Sequence, residues 1–547
     1  MTLRVFLGAA WPPALVFAGL AVLHAVFSPL GEPFKNGDET RHVMTGVFVR
    51  DAIADIPESA ADPRGYASRY YVQYPALGII IWPPVFYLVE GLSMWAFGTG
   101  YAVARAVVYG FALLGGVYAY RLFRRTHGAR VAAAALAVLG LSPLVFEYTS
   151  YVLLEVPTLA LVLGSVFHFE RHLGEGRGRD ALLACVLAAL AALTRFDGVM
   201  LLPFVLLRLA STRRFGLLLR RPVVVGVAVA LLLTVPYYLF TWAVYGGGIT
   251  HAATSGTSER ATSWLDPRNF YLYPSFVPEQ MGWSGTASAV AGLVFGLWAE
   301  RKRCGVYVAL VLSTFVTFVP LAEPEARHAI YWVPALSLFA VQGALLLACG
   351  SVRLKALSLI VILGWVAWEG VGPVRSTGWT GQYVCGTDET AERVLGRASW
   401  ERPVLYDGQL NGAFIYAVRR RDPDRRMTVL RADKLLYSVY SDPKGGYREY
   451  AQTDAEVIAL LHRFDPEYLV VEEPQVFIQT PAGDRLRRVL REYPAEFALE
   501  DAVPLRTNYE NFASTRLLVY RKLRANPGRT PVTELPVLAI GGAVGVK

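Results

Sequence analysis

The sequence predicts a polytopic α-helical membrane protein with about 11 transmembrane helices, followed by a small C-terminal α/β domain. Two observations predict this class. Of 547 residues, 54% are hydrophobic and only 18% are charged, whereas soluble proteins average about 25% charged residues. The net charge is +9, and the basic residues lie in short loops between long apolar runs. This distribution is typical of a protein oriented in a membrane and does not indicate a nucleic-acid partner.

The apolar runs have the length of membrane-crossing helices, which need about 20 residues for a hydrocarbon core of about 30 Å. The first run follows Arg4 and lacks a small-residue cleavage site, so we interpret it as a retained signal anchor. The predicted crossings are 9–30, 101–121, 130–149, 152–170, 180–194, 198–210, 222–244, 283–300, 304–320, 329–349 and 355–371.

Basic residues cluster in alternate loops, and this alternation predicts which loops face the cytoplasm. The remaining loops, including 31–75 and 245–282, then face outward, with the amino end inside and the carboxyl end outside. We therefore predict a multi-pass protein of the plasma (inner) membrane. The five basic clusters are Arg121–Arg130, Arg171–Arg179, Arg208–Arg221, Arg301–Arg303, and Arg353 with Lys355.

Two stretches depart from the simple pattern. A crossing at 76–98 would reverse the orientation of the following basic loop, so we predict an interfacial or re-entrant segment within the first outer loop, 31–100. The pair of runs within 180–210 has about 30 residues for two crossings, so each arm is only about 22 Å long. Its turn, Arg195-Phe196-Asp197-Gly198, is therefore expected below the outer surface in a water-filled cavity.

The composition becomes mixed after the last run, which divides the chain into a membrane domain, 1–371, and an extracytoplasmic α/β domain, 372–547. Alternating apolar residues predict strands at 404–406, 427–430, 468–471 and 517–520. Helical periodicity predicts helices at 409–418, 454–464 and 484–493.

The first outer loop carries adjacent carboxylates in Asn36-Gly37-Asp38-Glu39-Thr40-Arg41-His42. Asn36 and Glu39 have capping-box spacing at a helix start, which explains Glu39 but leaves Asp38 without a structural task. Structural and functional interpretations of this segment therefore both remain open.

Taken in order, several motifs resemble the GT-C glycosyltransferases, in particular the branch of bacterial protein O-mannosyltransferase-like and lipid A aminoarabinose-transferase-like enzymes. The resemblance covers about residues 8–350. After the Asp38-Glu39 pair, the motifs are Trp82-Pro83-Pro84-Val85-Phe86-Tyr87, Ala104-Arg105, Leu193-Thr194-Arg195-Phe196-Asp197-Gly198, and Glu325-Ala326-Arg327-His328.

The resemblance implies a GT-C fold and an inverting glycosyltransferase with a polyprenyl-phosphate sugar as donor. The acceptor is a hydroxyl of a protein, lipid or glycan, and transfer takes place at the outer face of the membrane. Asp38 is then the expected base, and Glu39 orients either the loop or Asp38 itself. Glu155 either shapes the site beside Asp38 or only stabilises a helix N-terminus, since Pro157 suits a first helical turn.

The leaving phosphate needs positive charge, and Arg327 is the first candidate because a guanidinium can bind two phosphate oxygens. His328 either assists Arg327 or is a satisfied polar cap, and Arg195 either binds phosphate or pairs with Asp197. The further candidates for substrate binding are Arg105, Arg69 and Tyr87. Some relatives have lysine where this chain has Trp82, which favours a different sugar.

We predict no metal site and no cofactor, because the eight histidines and four cysteines show no ligand spacing. A divalent cation at Asp38 and Glu39 is a less favoured alternative. The rival functions are a transporter or lipid flippase, and a non-catalytic scaffold. The leading hypothesis requires Asp38, Glu155 and Arg327 to converge in a solvent-filled hollow open to the exterior.

Overall fold

The structure, a computed structural model, describes residues 3–28, 30–31, 33–34, 37–78, 82–245, 262–346, 351–377, 383–439, 447–476, 479–537 and 542–545. The chain divides into two compact units. Unit 1 comprises Met1–Leu30, Trp82–Phe86 and Arg105–Gly381, and unit 2 comprises Gly31–Ile81, Tyr87–Ala104 and Gln382–Lys547. Asn36, which has capping-box spacing with Glu39, and residues 246–261 of the predicted outer loop 245–282 lie outside the described residues.

Within its described residues, unit 1 consists of helices and the loops that connect them. Its α-helices are Leu3–Phe27, Tyr101–Leu141 (from Arg105 onward), Pro143–Thr149, Glu155–Glu175, Gly178–Ala192, Leu201–Thr212, Arg221–Tyr245, Asn269–Ser275, Val277–Ala299, Arg301–Phe318, Val333–Leu346 and Val352–Thr377. Short 3₁₀ helices occupy Phe196–Met200, Phe215–Leu219 and Ala326–Trp332.

Within the described residues, four helical segments are long and apolar enough to cross a membrane: Tyr101–Leu141, Arg221–Ala243, Ala326–Leu346 and Arg353–Gly372. The protein is therefore a multi-pass membrane protein. The count of about 11 crossings and their orientation stay predictions, since several predicted runs form helices below the length of a full crossing.

The boundaries of the predicted runs are corrected where glycine and proline interrupt them. Gly128, with a positive φ of 81°, breaks the 41-residue helix Tyr101–Leu141 between two predicted crossings. The run predicted at 130–149 ends at Leu141, because Pro143 starts a separate helix, Pro143–Thr149. The two short arms predicted within 180–210 are confirmed as helices of 15 and 12 residues.

Unit 2 contains the predicted α/β architecture. Its central sheet has five strands in the order Val429–Arg431, Val404–Asp407, Tyr468–Glu473, Arg516–Lys522 and Phe497–Pro504. The first three strands are parallel, and the last two pair antiparallel. The four strands predicted from sequence all belong to this sheet, with boundaries shifted by a few residues.

The helices of unit 2 come from two parts of the chain that are distant in sequence. From the first outer loop they are Gly37–Ala54, Glu58–Ala61, Pro63–Gln73 and Val85–Phe97 (from Tyr87 onward). From the C-terminal part they are Thr387–Leu395, Asn411–Arg421, Ala432–Leu435, Asp454–Phe464 and Pro481–Glu492, with a 3₁₀ helix at Glu510–Phe512. Short strand pairs complete the unit: Val384–Cys385 with Arg506–Thr507, Tyr437–Val439 with Tyr447–Glu449, and Glu534–Val537 with Gly542–Gly545.

Within unit 2, residues 31–81 and 87–104 pack with the C-terminal part of the chain, whereas the predicted division at residue 371 assigned them to the membrane domain. Tyr74 donates a hydrogen bond to Asp422 (3.0 Å), and Tyr416 donates one to the carbonyl of Thr99 (2.5 Å). Helix Val85–Phe97 has 13 residues, so at 1.5 Å per residue it is about 20 Å long, too short to cross a bilayer.

Candidate active site

A cluster of ion pairs in unit 1 joins three residues that the sequence singled out. Arg195 binds Glu155 directly, and its Nε lies 2.6 Å from Asp197. Arg327 lies 3.7 Å from the same Glu155 oxygen and also pairs with Glu325. Two guanidinium groups therefore share one carboxylate. The expected ion pair of Arg195 with Asp197 is present, and phosphate binding by Arg195 stays a prediction.

Local backbone structure explains how these side chains meet. Glu155 begins helix Glu155–Glu175, with Pro157 in the first turn, as predicted. Arg195 is extended (φ −154°, ψ 146°) at the start of the 3₁₀ turn Phe196–Met200. Arg327 lies in a second 3₁₀ turn, Ala326–Trp332. Each charge therefore lies at the end of a helix or in an irregular turn between helices.

Burial divides the cluster into a closed part and a more accessible part. The side chain of Glu155 is 1% exposed and that of Arg195 is 7% exposed, whereas Arg327 is 22% exposed. Buried charges need partners, and Arg195 has two carboxylates close to it. Arg327 is the cation that solvent or a ligand reaches more easily. It can therefore bind an anion while Glu155 keeps its ion pair with Arg195.

Aromatic residues that the sequence analysis did not assign complete the cluster. Tyr331 donates a hydrogen bond to Asp197 (3.1 Å), and the guanidinium of Arg195 lies 5.6 Å from the ring centroid of Trp82. Trp82 thus contributes a cation–π contact where some relatives carry lysine. The Pro-Pro motif pointed to this segment, but no local signal identified Tyr331.

Two predicted binding residues of unit 1 have backbone partners. His328 Nδ1 lies 2.9 Å from the carbonyl oxygen of Glu323, which favours the interpretation of a polar cap. Arg105 is fully buried and donates to the carbonyl oxygens of Leu30 and Ser150, at 3.1 Å each. These bonds give Arg105 a structural task.

The remaining predicted site residues belong to unit 2. Asp38 and Glu39 occupy the first turn of helix Gly37–Ala54, where Asp38 is half-buried and Glu39 fully buried. Tyr87 has its hydroxyl 2.7 Å from Nδ1 of the buried His42, a partner that sequence reasoning missed. Arg69 pairs at the surface with Glu58 (3.0 Å), so its role is a surface ion pair.

An apolar groove of about 830 Å³ in unit 1 reaches the turn that holds Arg195. One end lies at Phe196 and Tyr238, whose ring centroids are 6.1 Å apart. The groove follows helices Gly178–Ala192 and Arg221–Tyr245, and alanine, valine and leucine side chains form most of its walls. Its size is that of ligand-binding pockets, about 300–1,000 Å³. The position next to a cationic cluster suits a molecule with an apolar chain and an anionic head.

The architecture and the site define the class: a multi-pass helical membrane protein with paired arginines beside an apolar groove. Residues 82–240 match the family model for dolichyl-phosphate-mannose-protein mannosyltransferase. The chain is similar in structure to apo ArnT from Cupriavidus metallidurans, with a TM-score of 0.60 at 16% identity, over 92% of this chain and 97% of that one.

The structure of the same ArnT bound to undecaprenyl phosphate is similar with a TM-score of 0.59 at 16% identity, over 95% of this chain and 99% of that one. No curated protein matches the sequence. The similarity to ArnT confirms the predicted GT-C resemblance at the level of the fold.

Proposed function

We propose that the protein is an inverting glycosyltransferase that moves a sugar from a polyprenyl-phosphate donor to an acceptor hydroxyl. The observation that carries this proposal is the arginine cluster of unit 1, together with an apolar groove whose lining includes Phe196, the residue after Arg195. A polyprenyl chain suits the groove, and its phosphate suits Arg327, with Arg195 behind it. The likeness to an ArnT that binds undecaprenyl phosphate and the mannosyltransferase family match support the same donor class.

The proposed chemistry is a direct displacement. Asp38 takes the proton of the acceptor hydroxyl as its oxygen attacks the anomeric carbon, and the bond from that carbon to the phosphate oxygen breaks. Arg327 stabilises the charge that develops on the phosphate. Glu155 holds Arg195 and Arg327, and Glu39 positions Asp38. No covalent sugar–enzyme intermediate is required, so one base is enough.

The proposed location of the reaction is the outer face of the plasma membrane. The alternation of basic loops supports this orientation, because it directs the turn Arg195–Gly198 and the segment Glu325–His328 outward. Protein, lipid and glycan hydroxyl groups are all acceptors that fit this reaction, and the panel below includes each.

The decisive experiment incubates the purified full-length protein with a panel of polyprenyl-phosphate sugars and the three acceptor classes. Mass spectrometry then detects free polyprenyl phosphate and the glycosidic product. We expect one donor to be consumed with inversion at the anomeric carbon. Movement of the lipid across proteoliposome membranes without any glycosidic product would instead support a flippase.

Asp38→Asn tests the base. Since it keeps the size of the side chain and removes the basic carboxylate, we expect transfer to fall by about 10²–10⁴-fold with folding unchanged. Wild-type transfer rates in this variant would remove Asp38 from its proposed role.

A pair of valines on one helix tests the groove. Both are exposed, at 44% for Val227 and 52% for Val224, but only Val227 lines the groove. Val227→Trp should fill the groove and raise the KM for the lipid donor about 10-fold, as expected for a loss of about 1.4 kcal/mol of binding. Val224→Trp should leave the KM unchanged. Equal effects of the two substitutions would contradict lipid binding in the groove.

A further inference from the structure

A group of metal-ligand side chains lies in unit 1 in a region that the proposed transfer reaction does not use. His127, Glu300 and Cys304 place one ligand atom each within 4.8 Å of the other two. They lie next to the basic clusters that the orientation rule assigns to the cytoplasm. The sequence predicted no metal site because His127 is far from the other two along the chain.

Three backbone features bring these side chains together. Glu300 directly precedes helix Arg301–Phe318, and Cys304 lies one turn into it, so both point to the same side. His127 belongs to a different helix, Tyr101–Leu141, and directly precedes the break in that helix at Gly128. At that break the backbone has a positive φ of 81°, which glycine adopts without strain.

Both ring nitrogens of His127 have polar neighbours. Its Nδ1 lies 2.7 Å from the hydroxyl oxygen of Thr126, whose own hydroxyl lies within bonding distance of the Leu122 carbonyl and of Tyr307. Its Nε2 lies 3.2 Å from Oε2 of Glu300, and the amide nitrogen of Gln342 lies 3.0 Å from that Nε2 and 3.3 Å from that oxygen. A metal ion bound to both atoms would take the place of this amide.

Two further side chains surround the three ligand atoms. Arg303 lies 3.6 Å from Oε1 of Glu300, the oxygen that does not contact His127. The Gln342 amide lies 3.0 Å from His127 Nε2 and 3.8 Å from the Cys304 sulfur. The cavity beside them, about 630 Å³, is also lined by His127, Glu300 and Gln342, and it has room for a water ligand.

We propose that His127, Glu300 and Cys304 bind a Zn²⁺ ion, with a water in the fourth position. Zn²⁺ takes imidazole, carboxylate and thiolate ligands at about 2.0–2.3 Å, and a tetrahedral arrangement separates them by about 3.5 Å. His127 and Glu300 already have this spacing, at 3.2 Å, and all three ligand atoms lie within 4.8 Å of one another. On binding, the Cys304 thiol releases its proton to solvent, so the thiolate, the carboxylate and Zn²⁺ form a neutral site. Thr126 orients the imidazole from behind.

The test measures Zn²⁺ binding by the full-length protein in detergent, with any polyhistidine tag removed. After treatment with a chelator and return of Zn²⁺, elemental analysis should give one ion per chain. Cys304→Ser and His127→Gln should each weaken binding at least 10-fold in competition with a chromophoric chelator. Cys185→Ser is the matched control, because Cys185 is another free thiol of unit 1 outside the group, and it should bind like the wild type.

Cobalt substitution provides a second measurement, which does not depend on how well a variant folds. The Co²⁺ form of the wild-type protein should show a near-ultraviolet charge-transfer band from thiolate to metal, and Cys185→Ser should retain it. Zn²⁺ should also raise the unfolding temperature of the wild type through linkage. Absence of bound metal, a cobalt spectrum without the thiolate band, or wild-type affinity in Cys304→Ser would each overturn the proposal.

Discussion

Both units contain a buried network of arginines and carboxylates, but the two networks are built differently. In unit 2, Arg419 (4% exposed) donates to Asp51 (1% exposed) at 2.6 Å, and Tyr70 donates to the same oxygen at 2.7 Å. A further guanidinium nitrogen of Arg419 donates to the carbonyl oxygen of Asp422 at 2.7 Å. This network is closed and joins the first outer loop to helix Asn411–Arg421.

In unit 1, the corresponding cluster is open on one side. Arg327 remains 22% exposed, and an apolar groove reaches the turn beside Arg195. A closed network uses its donors to hold the fold, whereas an open one has a cation that can receive an anion. Accessibility and a neighbouring cavity, more than the number of ion pairs, therefore distinguish a candidate site from a network that only stabilises the fold.

The largest expected effect is on the stability of the closed network. Arg419→Met removes the buried cation of Asp51 and leaves only the partly exposed Arg50 beside it, so we expect the free energy of unfolding to fall by about 3 kcal/mol. Thermal unfolding and limited proteolysis of the purified protein measure it. Arg393→Met is the control, since Arg393 is 41% exposed and pairs at the surface, where pairs contribute about 0–1 kcal/mol. Equal stability of the two variants would contradict the distinction.

The open network should respond in rate more than in stability. Arg327→Gln removes a donor to the leaving phosphate, so we expect transfer to slow by about 10²–10³-fold. Stability should change less than in Arg419→Met, because Glu155 keeps Arg195. The measurement is kcat beside the unfolding temperature, with Arg268→Gln as control, since Arg268 is 59% exposed and paired with Asp266. Parallel losses of rate and stability would show that Arg327 is only structural.

The smallest expected effect concerns a buried carboxylate of unit 2 with no cation beside it. Glu90 is fully buried, and within the described part of the chain neither of its oxygens has a hydrogen-bond partner. Burial raises the pKa of Glu90 well above its usual value. The folded state then binds the proton more tightly, so stability falls as the pH rises above about 4.3, the unfolded value.

Glu90→Gln should remove this dependence on pH. We expect the variant to be more stable than the wild type at pH 8 by at least about 1 kcal/mol, which corresponds to roughly one pKa unit, and to match it near pH 4. Unfolding temperatures across this range measure the difference. Glu58→Gln is the control, because the Glu58 side chain is 67% exposed. The same pH profile in wild type and Glu90→Gln would contradict an unpartnered buried carboxylate.

Part of the site was predictable because it depends on local sequence. Glu155 falls at the start of its helix because Pro157 fits a first turn, and the turn at Arg195 follows from two arms too short for separate crossings. The open alternatives for Arg195 and His328 could not be resolved in this way. The pairing of Arg195 with Glu155 depends on how two helices distant in sequence pack. The contact of His328 with the Glu323 carbonyl depends on a turn whose shape is also set by packing.

By itself, the sequence determined the helical membrane class, the strands of the C-terminal α/β region and the short helix pair around Arg195. Run length, alternation and proline act within a few neighbouring residues, so they can be read directly from the chain. Only the tertiary structure decided that Arg327 joins Glu155, that Asp51 meets Arg419, and that His127 meets Cys304. Contacts between residues distant in sequence arise from the packing of whole helices, which no local pattern encodes.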